Sequence, residues 1–153
     1  VKLTLIAVGH KMPGWVNEAF AEYQRRFPPD WPFNLKELKP ETADSAAQTK
    51  AREADKILAA VPKDALLVIL DERGRDLTTK ALAQQLERWQ LDARPLVFVI
   101  GGTEGLDDRV KAAADFSLRL SSLTLPHMLV RVLLAEQLYR AWSVLAGHPY
   151  HRE

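Results

Sequence analysis

Two segments in the last third of the chain hold the residue types a small-molecule site needs. They are Ile100-Gly101-Gly102-Thr103-Glu104-Gly105-Leu106 and Leu120-Ser121-Ser122-Leu123-Thr124-Leu125-Pro126-His127. The first follows the apolar run from Pro95, and its paired glycines let the backbone turn tightly and let a ligand approach with no Cβ in the way. The second joins a strand to a helix start through serine and threonine. Loops of this kind, each following a strand, are how an α/β sheet builds a ligand site at its carboxyl edge. A third cluster ends the chain, Tyr150-His151-Arg152-Glu153. Tyrosine and histidine can stack on an extruded base, arginine can bind phosphate, and histidine can move a proton near neutral pH. The alternative for this tail is a frayed terminus.

Single residues add to these segments. His127 opens the final helix beside the second loop, where it either caps and packs or takes part in the chemistry. Arg131 interrupts the apolar sector of that helix, near an end whose dipole disfavours a cation. Desolvating it unpaired would cost several kcal/mol, so it requires a partner, either an internal acid such as Glu104 or an anionic ligand such as an RNA phosphate. His10, His127, His148 and His151 are scattered, and cysteine is absent. That pattern predicts no metal site and excludes disulfides and cysteine nucleophiles.

The elements that position these residues follow from periodicity. Lys2 to Gly9 reads as a strand, and after Pro13 the residues Val16, Phe20, Tyr23 and Phe27 share one helical face. Phe33 to Leu38 is a second strand and Ala43 to Ala60 a helix that ends before Pro62. Ala65 to Asp71 is a central strand, Glu72 to Asp76 a loop, and Thr78 to Leu91 a helix. Pro95 to Ile100 is a buried strand, Asp107 to Ala114 a helix, and Phe116 to Leu120 a short strand. The last helix runs from about Pro126 to Ala146, with Glu136, Gln137, Arg140 and Ser143 in one polar sector and Leu134, Ala135, Leu138, Trp142 and Leu145 opposite. So broad an apolar surface needs either a central place in the monomer or a second subunit, and for a small α/β protein the dimer is the expectation. Repeated β-then-α units predict one domain over residues 1–153 with a mostly parallel sheet flanked by helices.

A chain of 153 residues that is 47% hydrophobic and 27% charged can bury a core of its own. No apolar run reaches the roughly 18 residues of a membrane span. The start of the chain reads as a strand rather than a signal peptide, which with the missing cysteine fits a cytoplasmic protein. A net charge of +1 is small for a protein that grips RNA by phosphate neutralisation alone. If RNA is the partner, shape and a few placed cations must carry recognition. The segment after the first strand, Gly9-His10-Lys11-Met12-Pro13, offers no G-x-G-x-x-G, which argues against a nucleotide-binding oxidoreductase.

The ordered set of segments resembles the RlmH (YbeA) family of SPOUT-class methyltransferases. It includes Val8-Gly9, Tyr23 to Phe33, Leu70-Asp71, Gly101 to Leu106, Leu120 to Arg131, Tyr139 to Trp142 and His148 to Glu153, and so covers nearly the whole chain. The resemblance implies a SPOUT fold with a deep trefoil knot in the carboxyl half. It further implies methyl transfer from S-adenosylmethionine to N3 of a pseudouridine in 23S rRNA, by a homodimer acting on assembled 70S ribosomes. Carried over by motif, the cofactor loops are Leu70, Ile100, Gly101 and Gly102, with Ser121, Ser122, Leu123, Thr124, Leu125 and Pro126. Leu70, Leu123 and Leu125 would line an apolar slot for adenine. His151 would accept the proton, Arg152 would bind the substrate, Tyr150 would assist, and His127 and Arg131 would contact the RNA. Many relatives carry proline where this chain has Thr103, which removes a fixed φ from the glycine loop.

Overall fold

Strands form where the apolar runs fall. In this computed structural model, which describes residues 1–152, five of them pair into one parallel sheet. They are β1 (Leu3–Val8), β2 (Phe33–Leu38), β3 (Leu66–Asp76), β4 (Leu96–Ile100) and β5 (Phe116–Arg119), in the order β2-β1-β4-β3-β5. Between them run α1 (Gly14–Gln24), α2 (Ala46–Ala60), α3 (Thr79–Leu91) and α4 (Asp108–Ala113), and α5 (His127–Ala146) follows β5. Helix starts carry their own signals: the side chains of Ser45 and Thr78 accept from the amides of Gln48 and Ala81. Gly147, at φ 68°, ends α5 in a left-handed conformation that suits glycine.

The pleat divides the core in two. Leu3, Leu5 and Ala7 of β1 face one side, with Phe98 of β4 and residues such as Phe20, Leu86, Leu134 and Leu138 from the α1, α3 and α5 layer. Ile6 and Val8 face the other, with Ala54 and Ile57 of α2 and Val110 of α4. Side chains such as Phe98 and Leu138, wholly removed from water, each contribute about 1.5–3 kcal/mol of transfer free energy.

Two expectations need correction. Glu72 to Asp76 is not simply a loop: β3 runs on to Asp76, and Leu118 of β5 is the register partner of both Leu70 and Arg75. The four residues between are a bulge from which the strand resumes, and polar composition alone cannot distinguish that from a turn. Phe27 lies beyond α1 but still buries beside Phe33 and Tyr139. The polar sector of α5 is itself covered, which its spacing alone does not address. Ser143 is buried with its hydroxyl donating to the Arg140 carbonyl, and the Glu136–Arg140 ion pair is largely covered.

Candidate active site

The carboxyl ends of β3, β4 and β5 open into a cleft of about 780 Å³. That size lies within the roughly 300–1,000 Å³ of small-molecule sites. In open α/β sheets ligands commonly sit where the strand order reverses. Here that point lies between β1 and β4, and the cleft is displaced to the β4-β3-β5 side.

The β4 loop is shaped by close approach. A Cβ on Gly101 would lie 2.8 Å from Leu106 Cδ2, and one on Gly102 would lie 2.8 Å from Glu53 Oε1. At Gly101 the Leu106 side chain and the Gly105 carbonyl leave no room for a Cβ, while at Gly102 an added Cβ would push aside the end of the Glu53 side chain. The Gly105 amide donates to the Gly102 carbonyl at 3.0 Å and closes the loop. Behind it, His127 Nε2–H donates to the Gly101 carbonyl, which ties the first turn of α5 to the end of β4. Because a carbonyl only accepts, this contact fixes the tautomer of His127.

The β5 loop is held by its own hydroxyl: Ser121 Oγ accepts from the Leu123 amide at 2.9 Å. The third wall is the β3 bulge, where Asp71 Oδ1 accepts from the Arg73 amide at 3.1 Å and Lys111 stands 3.9 Å from Asp71. Arg119 pairs with Asp76 at the base of this wall and holds its carboxyl below the usual carboxylate range.

Leu70, Ile100, Gly101, Gly102, Ser121, Ser122, Leu123, Thr124, Leu125 and His127 all line the cleft. Leu123 is 75% exposed, so its side chain stands at the mouth rather than in a closed slot. Pro126 is not a wall residue; it precedes α5, and its carbonyl accepts from the Leu129 amide. Sequence reasoning missed Lys50 and the charged residues Glu72, Arg73, Lys111 and Arg119, which also line the cleft. Nothing local marks Lys50, which reaches the cleft from α2, an element placed far earlier in the chain.

Arg131 is 1% exposed and pairs with Glu37 at 2.6 Å, not with Glu104. Its second nitrogen donates to the Gly9 carbonyl at 3.4 Å. The guanidinium therefore joins α5 to the carboxyl ends of β1 and β2, beneath the surface and outside the cleft lining.

The tail also lies elsewhere. Pro149–Arg152 forms a 3₁₀ turn that folds back on α5, while Glu153 lies outside the described residues. The Tyr150 hydroxyl donates to Glu136 at 2.9 Å, its ring centroid is 4.8 Å from that of Tyr139, and Arg140 lies 4.8 Å over its face. Burial, then hydrogen bonds involving Tyr23 and Glu136, push the Tyr150 hydroxyl well above its ordinary pKa. His151 is half-buried, its Nδ1 has no partner among the described residues, and Arg152 is exposed. None of the three lines the cleft. No group of three or more His, Cys, Asp or Glu among the described residues is placed to hold a metal ion. No helix among them is long and apolar enough to cross a membrane.

Comparison with known proteins gives this arrangement a context. Residues 1–151 match the family model described as a predicted SPOUT methyltransferase. A protein of Bordetella petrii is 57% identical over 155 residues, and one of Burkholderia cenocepacia is 59% identical over the same length. In both cases 99% of each chain is covered, and both relatives are named ribosomal RNA large subunit methyltransferase H.

Proposed function

Because the chain belongs to the SPOUT methyltransferase family, we propose that it methylates N3 of a pseudouridine in bacterial 23S rRNA, with S-adenosylmethionine as donor. The substrate in this reading is the assembled 70S ribosome, which places the protein in the cytoplasm. The observation that carries the reading is the cleft itself, in which loops after β4 and β5 and the β3 bulge meet around glycine, hydroxyl and leucine groups. The relatives named as ribosomal RNA large subunit methyltransferases support the choice of RNA.

The cleft fits such a donor by size and by chemistry. Leu70, Ile100 and Leu125 offer apolar walls for adenine, and the glycine and Ser/Thr loops offer backbone groups for its polar edges. Bound there, S-adenosylmethionine supplies a methyl group already activated on a sulfonium. The protein is left to align the acceptor and to remove the N3 proton. His127 keeps the Gly101 carbonyl engaged and stands at the cleft, where it is assigned to the substrate side. Arg131, sealed on Glu37, is assigned to hold the strand ends and not to touch RNA.

His151 is assigned as proton acceptor, Arg152 as the contact to phosphate or base oxygen, and Tyr150 as their anchor on α5. Since the tail does not line the cleft of its own chain, it acts at the cleft of a second copy in a homodimer. Trp15, 53% exposed on α1, and Leu133, 38% exposed on α5, are apolar groups suited to that contact. The reading includes a trefoil knot in the carboxyl half.

The test is incubation with methyl-labelled S-adenosylmethionine and 70S ribosomes from a strain lacking its own enzyme of this family. Label in 3-methylpseudouridine of 23S rRNA is the expected result. No label, with an active relative run in parallel, would remove this substrate and leave a ribosome-docking role in front.

A further inference from the structure

Beneath the glycine turn lies an acid that the reaction described above does not use. Glu53, on α2, is 4% exposed. Its Oε2 accepts from the Glu41 amide at 3.1 Å, while Oε1 has no hydrogen-bond partner among the described residues. Of the nearby basic side chains, Lys56 pairs with Glu41 and Arg52 reaches the Thr42 carbonyl, while Lys50, one turn earlier on α2, lines the cleft itself. Both carboxylate oxygens press against Gly102, at 2.8 and 3.0 Å from where a Cβ would sit. Gly102 itself is a wall of the cleft. One glycine, with no side chain to add thickness, separates a buried acid from the ligand space.

We propose that Glu53 is a charge-selecting residue of the cleft, favouring a cationic sulfonium ligand over its neutral thioether product. The inference rests on the reading of the cleft as the S-adenosylmethionine site. Its physical basis is the contrast between Glu53 and the other charges there. Asp71, Lys111 and Arg119 lie nearer to solvent and face opposite charges, so their fields largely cancel; Glu72, Arg73 and Glu104 are exposed and screened by water and salt, and Lys50 is the half-buried cation that Glu53 must outweigh. Glu53 is shielded from solvent and has no ion-pair partner among the described residues, so its field acts at longer range. Methyl transfer removes one positive charge from the sulfur. A negative potential behind Gly102 therefore holds the donor more strongly than the product and aids product departure after each turnover. It also accounts for an isolated acid at a position where a neutral residue would spare the fold a desolvation penalty.

The experiment is calorimetric titration of the full-length protein and of Glu53→Gln with S-adenosylmethionine and with S-adenosylhomocysteine. The glutamine variant keeps the shape and removes the charge. The expected result is a loss of about tenfold in affinity for the sulfonium ligand, of the order one unscreened charge exerts through a short protein layer. The thioether should change by less than about twofold. Glu53→Asp, which keeps the charge, should retain most of the preference, and it serves as the second variant if the glutamine form is poorly folded. Equal loss for both ligands, or none for either, would overturn the inference and reduce Glu53 to a support for the turn. If the unmodified protein bound neither ligand, the reading of the cleft itself would fall, and this inference with it.

Discussion

The cleft and the aromatic cluster around Tyr150 meet the same helix, α5, but they are built by opposite means. At the first turn of α5 the working surface is backbone, made of two glycines, a serine turn and a strand bulge, with side chains such as His127 and Glu53 pressed behind it. Further along, the surface is side chain, where Tyr23, Tyr139, Trp142 and Tyr150 interleave with Arg26 and Arg140. A backbone surface recognises shape and is intolerant of added atoms. An aromatic-cation surface tolerates small changes and suits bases and phosphates. The contrast teaches where each kind of substitution should register.

Adding atoms behind the backbone surface should have the largest effect. Gly101→Val places its Cβ 2.8 Å from Leu106 Cδ2, so it should cost about 1–3 kcal/mol of stability and weaken S-adenosylmethionine binding by about 100-fold. Melting and calorimetry would read both, and normal binding would show that the turn is not the cofactor wall. Next in size is the loss of the tail. Truncation after Pro149 should lower methyl transfer by more than about tenfold while leaving cofactor affinity within about twofold. Equal losses would erase the comparison by placing the tail in the cofactor pocket or in the fold.

The smallest effect concerns the Tyr150 hydroxyl. Its pKa is raised in the folded state, so the stabilisation is fully present below the ordinary tyrosine value of about 10 and is lost as pH rises through the higher folded value. Tyr150→Phe should cost about 1 kcal/mol at neutral pH through the missing bond to Glu136, and should flatten the alkaline fall in melting temperature. An unchanged alkaline profile would assign that sensitivity to other groups.

How much of this was legible in the sequence follows from range along the chain. Strands, helices and cleft loops have local causes: apolar runs, a Ser45 or Thr78 cap, a glycine pair after Ile100. Nine of the ten residues given to the cofactor loops line the cleft, as does His127, while Pro126 does not. The Arg131–Glu37 pair joins residues 94 apart, and no local pattern chooses Glu37 over Glu104. The polar side of α5 was legible as polar but not as covered, because its cover is Tyr150 folding back beyond the helix end. Lys50 and Glu53 look like an ordinary charged helix surface until the sheet brings α2 under the glycine turn.

The register jump in β3 carries a consequence of its own. Leu66 to Ile69 are flanked by β4, and Leu70 and Arg75 share one partner in β5, so Asp71 to Gly74 have no ladder partner among the described residues. Amide hydrogen exchange along this single strand should therefore be uneven, slow in its first half and faster in the bulge, least so at Arg73, whose amide donates to Asp71. Since Asp71, Glu72 and Arg73 face the cleft, slowed exchange at those amides becomes an internal clock for occupancy, readable without any label on the ligand.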